Sequence, residues 1–394
     1  MNDSARSVVI VEAPAVRLLR ATVGDWPPLQ RPIEITVEPR RTVLFGKGGA
    51  NASLVLQGIV EGARMALHAL SDPDKPRHFR CELVSDLGER FSYGYDRRFQ
   101  GFDDDDDDPF PPSVRWEERA ARTDEVSVDL WTVRDRRVTF RDGTRVSLPS
   151  GTGALALASE PADHVPVDVR RIRTYLENIR WLGATLPRPA DALRQDVILS
   201  GRSGVLWTSR GLDPRLVSLA ATLTIWFETF PDRFAQVAAL LQRLGGRGEL
   251  HVRIREDASS RGADVGPQHQ ASISFDGVDF GRLPDAVLRR LELVVALVDP
   301  SPTTVFIEDP EAIAVPGMIG RMLETIDACA GQRQLVLATK TSHVVNWAAP
   351  EEVRIVEGAR DRASSVRALD ETERSRATAH VQGGGTLSSY VGLA

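Results

Sequence analysis

The amino-acid sequence predicts an α/β protein whose central sheet is assembled from two stretches that lie far apart in the chain. Three observations lead to this prediction. A short apolar strand near the N-terminus runs through a glycine-rich turn into a helix, a later strand ends in acidic residues, and a further buried strand follows it. The region between these stretches has the patterns of a β-meander and of a helical subdomain, which we expect to be insertions.

The N-terminal stretch supplies the first half of the predicted sheet. Short strands are expected at 33–37 and 41–45, and the glycine-rich turn GKGGANA follows the second of them. The next segment, SLVLQGIVEGARMALHAL, places Leu54, Ile59 and Met65 at the spacing of a helix that packs on a sheet. A strand, a glycine turn and a helix in this order present backbone N–H groups at the helix start, where phosphate can bind.

The middle of the chain changes from one pattern to another. From about 77 to 157, apolar residues recur at every second position, which indicates a β-meander. An acidic run from Asp103 to Asp108 interrupts it, and we interpret this run as a solvated loop. From about 167 to 247 helical spacing returns, and the short β segments ELHVRIRE and QASISFDG follow.

The C-terminal part supplies the second half of the predicted sheet. Helices are expected in PDAVLRRLELVVALVDP and over 317–330, and strands over 303–307, in QLVLATK and in EEVRIVEG. The expected domains are an α/β core of 1–75 and 270–365, a β-rich insert of 76–160, and a helical and β insert of 161–269. Residues 366–394 form a polar tail, which we expect to be loosely ordered.

Composition and charge narrow the class of protein. Of 394 residues, 42% are hydrophobic and 26% are charged, which is typical of a globular protein. The formal net charge is −6, and the six aspartates of the run at 103–108 account for it, so the rest of the chain is near neutral. Phosphate binding needs clustered Lys and Arg, so this balance gives no support to a broad nucleic-acid-binding face. No membrane-spanning run and no signal-peptide pattern is present, so we expect a cytoplasmic protein. The two cysteines, Cys81 and Cys329, are expected to be core thiols, because they lack the spacing of a disulfide framework or a zinc site.

The glycine turn matches the phosphate-loop pattern G-x-x-x-x-G-K-[ST] only in part. That pattern needs glycines for a tight turn, a lysine for the phosphates and a hydroxyl for magnesium. The residues here are, in order, Gly46, Lys47, Gly48, Gly49, Ala50, Asn51, Ala52 and Ser53. The first glycine and the final serine are present, but Asn51 replaces a glycine and Ala52 replaces the lysine. By itself the turn fits an ordinary strand-to-helix connection equally well.

Acidic residues end the strand predicted at 303–307. They are Glu308, Asp309 and, after Pro310, Glu311. The carboxyl ends of strands are the edge at which α/β sheets bind ligands. One acid could hold magnesium and the next could polarise an attacking water. The alternative is a solvated strand end with a capping acid.

The order and spacing of these segments resemble ATPases of the RecF/SMC/OLD type, an AAA/ABC-like group of P-loop NTPases. In that family an early phosphate loop is followed by a β-rich and helical insert, a signature helix, a strand ending in I-D/E-E-P-E and a strand ending in T-T-H-S. Here FIEDPEAIAVP is similar to the acid strand, LVLATKTSHVVN to the switch strand, and LPDAVLRRLELVVALVDP to the signature region. The stretch WEERAARTDEVSVDLWTVRDRRVTFRDG resembles the family's insert. The resemblance covers about residues 8–365 and implies an ABC-ATPase-like P-loop sheet.

The resemblance also implies roles for individual residues, with ATP and Mg²⁺ as the cofactors. Glu308 falls at the magnesium-associated acid, Asp309 at the catalytic glutamate and Lys340 at the switch histidine. Ser53 falls at the hydroxyl that binds magnesium. The remaining residues implied in nucleotide binding are Gly46, Lys47, Gly48, Gly49 and Asn51.

Several positions depart from the family's pattern. The loop lysine and the switch histidine are replaced, and Pro284 and Ala286 stand where the signature has serine and glycine. Asp309 is one methylene shorter than glutamate, and stabilisation of a transferred phosphate depends on placement at about the 1 Å scale. The turn also resembles the deviant loop K-G-G-x-x-K-[ST] of the MinD/ParA class, but lacks its second lysine. For Lys47 and Lys340, a nucleotide contact and an ordinary surface position both stay open.

We therefore expect a degenerate ATPase, or pseudo-ATPase, that serves as a regulatory or structural subunit of a larger complex. The resemblance implies a homo- or heterodimer with an ATPase-like or effector subunit and no membrane partner, and it leaves contact with nucleic acid through the complex open. It also implies a setting in DNA repair or anti-phage defence. The alternative is an active ATP hydrolase in which Lys47, Ser53, Glu308 and Asp309 suffice. A nuclease of the OLD type is disfavoured, because few residues follow position 365.

Overall fold

The computed structural model describes most of the chain. The described residues are 16–26, 28–29, 31–67, 75–100, 113–123, 128–134, 137–148, 153–155, 166–183, 197–200, 204–206, 214–246, 248–256, 268–314, 317–358, 363 and 365–392. The aspartate run at 103–108 lies outside them.

Strands and helices alternate along the chain in three blocks. The first contains β1 (Val16–Gly24), β2 (Ile33–Thr36), β3 (Arg41–Gly46), α1 (Ala52–Leu67), β4 (His78–Ser85), β5 (Arg90–Gln100), β6 (Ser113–Arg122), β7 (Val128–Arg134), β8 (Arg137–Phe140) and β9 (Arg145–Ser147). The second contains α2 (Val167–Glu177), β10 (Ile179–Leu182), β11 (Val197–Ser200), β12 (Gly204–Leu206), α3 (Pro214–Thr229), α4 (Pro231–Arg243), β13 (Leu250–Glu256), β14 (Gln268–Phe275) and β15 (Val278–Asp279). The third contains α5 (Asp285–Val298), β16 (Thr304–Glu308), α6 (Ile319–Ala330), β17 (Gln334–Thr339), α7 (Ser342–Trp347), β18 (Val353–Glu357), β19 (Ser365–Ala368), α8 (Glu371–Gln382) and α9 (Leu387–Val391).

These elements belong to two compact units. Unit one comprises the described residues within Met1–Pro39, Gly48–Ile179 and Val356–Ala368. Unit two comprises those within Arg40–Lys47, Arg180–Ile355 and Leu369–Ala394. The boundary therefore falls inside the glycine turn, between Lys47 and Gly48. The domain limits expected from the sequence stay predictions.

Unit one is built on an eight-stranded antiparallel sheet in the order β2-β1-β4-β5-β6-β7-β8-β9. Helix α1 packs on β1 and β4. Gly62 makes this packing close, because a Cβ added there would lie 2.4 Å from the ring of Phe79. On β5 the buried face carries the aromatic residues Phe91, Tyr93 and Tyr95 at every second position, as the period-two pattern predicts.

A carboxyl group is buried inside unit one. Glu118 on β6 accepts hydrogen bonds from the backbone N–H of Ala154 at 2.7 Å and from the indole N–H of Trp131 at 3.4 Å. Burial raises the pKa of Glu118 to about 7, because the charged form loses its hydration, although these donors act in the opposite direction.

Unit two contains a sheet with strand order β10-β16-β17-β3-β18. Strand β3 pairs in parallel with β17, and β17 pairs in parallel with β16. A second, antiparallel sheet has the order β12-β11-β14-β13, with β15 paired to β14. Helices α3 to α9 and both sheets contribute to one hydrophobic core, and Val305 and Ile307 of β16 lie within it. Among the described residues, no helix has the length and apolar character needed to cross a membrane.

The α/β class and the insertions predicted from the sequence are confirmed. The β-meander β4–β9 and the helices α3 and α4 lie between β3 and β16 in the chain. Two local predictions are wrong. Ile179–Leu182 forms strand β10 beside β16 instead of continuing a helix, because pairing in the sheet overrides local helical spacing. The tail is not loose but forms α8 and α9, because Asp370 and Glu373 make a capping box at the start of α8 and Leu387 is buried.

Candidate nucleotide-binding site

The ends of three parallel strands meet at one edge of the sheet in unit two. Glu308 is in register with Ala338, and Ala338 with Leu44 of β3. The glycine turn begins after β3, Lys340 follows β17, and the acids follow β16, so all three connections leave the same edge. The expectation that two sequence-distant stretches form one sheet is confirmed. We call Glu308, Asp309 and Glu311 the acid rim.

The glycine turn connects β3 to α1. Lys47–Gly49 forms a short 3-10 turn, and Gly48 has φ 63° and ψ 24°, a left-handed conformation that favours glycine. The side chain of Lys47 is exposed, and its Cε lies 3.8 Å from the position that a Cβ on Gly392 would occupy. Lys47 therefore extends toward the end of the C-terminal helix α9.

The first turn of α1 carries its own cap. The side-chain oxygen of Asn51 accepts a hydrogen bond from the backbone N–H of Ser53 at 3.1 Å. Asparagine is favoured at this position, because its side chain satisfies an N–H group that the helix leaves unpaired. Ala52 and Ser53 are both buried, and Ala52 brings no charge to the helix start. The asparagine that departs from the phosphate-loop pattern thus has a structural role in the helix.

Asp309 and Lys340 form an ion pair in unit two. The Nζ of Lys340 lies 3.8 Å from Oδ2 of Asp309, and their side chains are 58% and 20% exposed. Asp309 has φ 43° and ψ 62°, an uncommon conformation for a residue other than glycine. Its Oδ1 is buried and has no hydrogen-bond partner among the described residues. The residue expected as the catalytic acid and the residue expected at the switch histidine are thus neighbours.

Glu311 ties the acid rim to the end of β17. Its carboxylate accepts hydrogen bonds from the hydroxyl of Thr339 at 3.0 Å and from the backbone N–H of Lys340 at 3.1 Å. Thr341 donates its backbone N–H to the Thr339 hydroxyl at 3.0 Å. Sequence reasoning gave Glu311 no role, although it belongs to the acidic string that ends the strand.

Arg289 on α5 is a second residue that sequence reasoning missed. Its side chain is buried, and its Nη2 donates a hydrogen bond to the backbone carbonyl of Glu308 at 2.8 Å. Burial lowers the pKa of the Arg289 guanidinium, whereas the charges of nearby carboxylates, Asp309 first, act to raise it. The helix itself begins after Pro284, which has no side chain that can cap it. A buried arginine therefore lies beneath the acid rim.

The acid rim is not arranged like a metal site. Within the ranges that the structure describes, no three His, Cys, Asp or Glu side chains are grouped so that they could hold a metal ion. Ser53 and Glu308, the two expected magnesium ligands, belong to different compact units. Glu311 is bonded to β17, and Asp309 is paired with Lys340. The donors described in unit two therefore do not form a site that would hold a magnesium ion through protein ligands alone.

Similar proteins are found among solved structures. No protein-family model matches the chain, and no curated protein matches its sequence. Among solved structures, the chain is similar to an SMC head bound to the C-winged-helix domain of ScpA, with 11% identity and a TM-score of 0.42, over 90% of this chain and 99% of the other. It is similar to an SMC head with an extended coiled coil, bound to the C-terminal domain of ScpA from Pyrococcus furiosus, with 8% identity and a TM-score of 0.45, over 93% and 100% of the two chains.

A third similar structure is an ATP-binding subunit of an ABC transporter, with 12% identity and a TM-score of 0.40, over 95% of this chain and 99% of the other. All three likenesses have TM-scores below 0.5 and identities of 12% or less.

Proposed function

We propose that this chain is an ABC-like ATPase-fold protein that binds nucleotide weakly or not at all and acts as a regulatory or structural subunit of a larger complex. The observation that supports this most is the start of α1. There the Asn51 side chain accepts the N–H of Ser53, and Ala52 stands where a phosphate loop has its lysine.

These two changes act on the interactions that hold phosphate. A phosphate loop binds through unpaired N–H groups at a helix start and through the lysine ammonium group. A hydrogen bond to a charged group contributes about 1.5–3 kcal/mol, so the loss of two such contacts weakens binding by about 3–6 kcal/mol. At 1.4 kcal/mol for each factor of ten, the dissociation constant rises by about 10² to 10⁴.

The acid rim supports poor hydrolysis for a separate reason. A general base must lie within hydrogen-bond reach of the attacking water, and a carboxylate that is held in an ion pair is not free to take that position. Asp309 is held in such a pair with Lys340. Its shorter side chain also displaces the carboxylate from the position that glutamate would give it.

One observation favours the alternative of an active ATP hydrolase. The Oδ1 of Asp309 is buried without a hydrogen-bond partner in the described part of the chain, so it is an acceptor at the expected place of the base. In that hypothesis Lys47 supplies the missing positive charge. Steady phosphate release that is abolished by Asp309→Asn would favour the hydrolase over the regulatory subunit.

The proposal is tested by restoring the phosphate loop. We expect ATP with magnesium to leave the melting temperature of the wild type unchanged, and to raise that of the double variant Asn51→Gly/Ala52→Lys in proportion to the logarithm of its concentration. Ala52→Met is the matched control, since methionine has nearly the length of lysine without its charge. A nucleotide-dependent shift of several degrees in the wild type would contradict the proposal.

The subunit role implies a partner protein. The family's head-to-tail dimers join one subunit's signature to the other's phosphate loop, so a homodimer of this chain would have both sites altered. We propose a heteromeric partner, in a DNA-repair or anti-phage setting. Affinity purification followed by mass spectrometry tests this, and recovery of the chain alone from its native cells would count against it.

A further inference from the structure

Arg289 is a buried cation that faces several carboxylates. Its side chain is 4% exposed, and its Nη2 donates to the carbonyl of Glu308. The carboxylates whose charges act on it are Asp309, Glu292, Glu308 and Glu311, in that order. An arginine is effectively always charged in a protein, so this positive charge needs compensation in the interior.

Two polar atoms of this cluster lack hydrogen bonds. They are the Nε of Arg289 and the Oδ1 of Asp309, both buried and without a partner among the described residues. A buried polar atom without a partner is costly, and a buried charge is tolerated when an opposite charge lies near it. The attraction between the guanidinium and the Asp309 carboxylate therefore acts over a distance, as charge compensation.

Asp309 also needs support for its backbone. Its φ of 43° places it in the left-handed region, which costs energy for a residue with a side chain and persists only when the surroundings enforce it. Backbone hydrogen bonds hold it directly, from its N–H to the carbonyl of Ala338 and from the N–H of Ala312 to its own carbonyl, both at 2.9 Å. Arg289 adds a contact from below, through the carbonyl of Glu308, and Lys340 adds one from outside, through the ion pair. Both are cations at the edge where the resemblance implies a magnesium ion.

We propose that Arg289 is a positioning residue that supplies the counter-charge of the acid rim from inside the protein, with Lys340 as the outer cation, so that the rim keeps its geometry without a divalent ion. The inference rests on the proposed function, because a rim that does not need magnesium suits a site that does not hydrolyse ATP. The inference concerns the stability of the folded protein without nucleotide, so its test does not depend on the nucleotide-binding test of the proposed function.

The test is a double-mutant cycle in thermal unfolding without nucleotide. Arg289→Met removes the charge and keeps the aliphatic stem, and we expect the melting temperature to fall by several degrees. Arg289→Lys keeps a charge and is expected to recover part of that loss. Adding Asp309→Asn to Arg289→Met is expected to restore several degrees, because the uncompensated carboxylate is removed.

The neighbouring arginine is the matched control. Arg290 is half-buried on the same helix, and its Nε donates to the carbonyl of Ala286 one turn earlier. Burial lowers the pKa of the Arg290 guanidinium, and within the described part of the chain no carboxylate charge acts on it appreciably. We therefore expect Arg290→Met to show no coupling to Asp309→Asn.

Three results would overturn the inference. The first is a coupling between Arg289→Met and Asp309→Asn that is no larger than the coupling between Arg290→Met and Asp309→Asn. The second is a failure of Arg289→Lys to recover stability, which would indicate packing and not charge. The third is a wild type that millimolar MgCl₂ stabilises more than NaCl at equal ionic strength.

A second cycle applies if Arg289→Met does not fold. It combines Lys340→Met with Asp309→Asn, both at side chains that are at least partly exposed. A smaller coupling of the same sign is expected, and zero coupling would overturn the role of Lys340 as the outer cation. A nucleotide-induced shift in the wild type would instead refute the proposed function, and would leave these cycles unaffected.

Discussion

Arg41 offers the sharpest test of how the chain's distant segments meet in unit two. It is the first residue of β3, and its guanidinium donates to one oxygen of Glu352 from both Nε, at 2.9 Å, and Nη2, at 2.6 Å. The guanidinium also lies 3.8 Å from the ring centroid of Trp347. The two charged side chains are only 11% and 12% exposed. Replacing Arg41 by methionine would leave the Glu352 carboxylate buried without its main partner.

The expected loss of stability follows from these contacts. Breaking a buried ion pair from one side costs about 3–5 kcal/mol. The contact with the ring of Trp347 adds about 1 kcal/mol. Methionine keeps some of the packing, so the net loss is about 4 kcal/mol. With about 2–4 °C for each kcal/mol in a unit of this size, the melting temperature of unit two should fall by roughly 10 °C.

The measurement is differential scanning calorimetry of the wild type and two variants. Arg40→Met is the matched control, because Arg40 is 64% exposed and pairs with Asp327 at 2.9 Å. An exposed pair contributes less than about 1 kcal/mol, so this variant should melt within about 3 °C of the wild type. Equal shifts for Arg40→Met and Arg41→Met would refute the reasoning.

Two further predictions concern unit one. Gly62→Ala should destabilise it by about 1–3 kcal/mol, because the new methyl group would press on the ring of Phe79. The control is Gly320→Ala in α6, whose methyl group meets no neighbour and should not destabilise the protein. Urea unfolding measures both free energies. Glu118 keeps its proton to about pH 7 in the folded state, against about 4.5 when unfolded, so folding stability should fall by about 3 kcal/mol as pH rises through this window. Glu118→Gln should flatten that pH dependence, and an unchanged slope would show that the carboxyl does not titrate as described.

The sequence predicts the strand framework well, for a physical reason. Buried strands need apolar residues in a row, and the acids that follow them mark the edge of the sheet. The string TVFIEDPE has both features, so it predicts strand β16 together with its acid rim. Strand β3 has the apolar row as well, and a glycine-rich turn in place of acids marks its end. The position of β17 between β3 and β16, which joins them, is a feature of the sheet that their order in the chain does not indicate.

Other features depend on tertiary contacts that local patterns do not show. Arg289 has the sequence signal of a surface arginine on an amphipathic helix, and only its place beside β16 reveals a buried cation. Strand β10 has the local pattern of a helix end, and its pairing with β16 decides its conformation. By contrast, the cap made by Asn51 and the capping box that begins at Asp370 follow known residue preferences at helix starts, so sequence alone can indicate both.

Isothermal titration calorimetry of the wild-type protein with ATP and magnesium tests most directly whether the capped start of α1 can hold phosphate. We predict a dissociation constant above about 1 mM, since even a micromolar phosphate-loop affinity would be weakened by about 10³ in the middle of the estimated range. Micromolar binding that is lost in Ser53→Ala would contradict the account, because it would mean that the Asn51 cap and the missing lysine do not prevent nucleotide from occupying the turn.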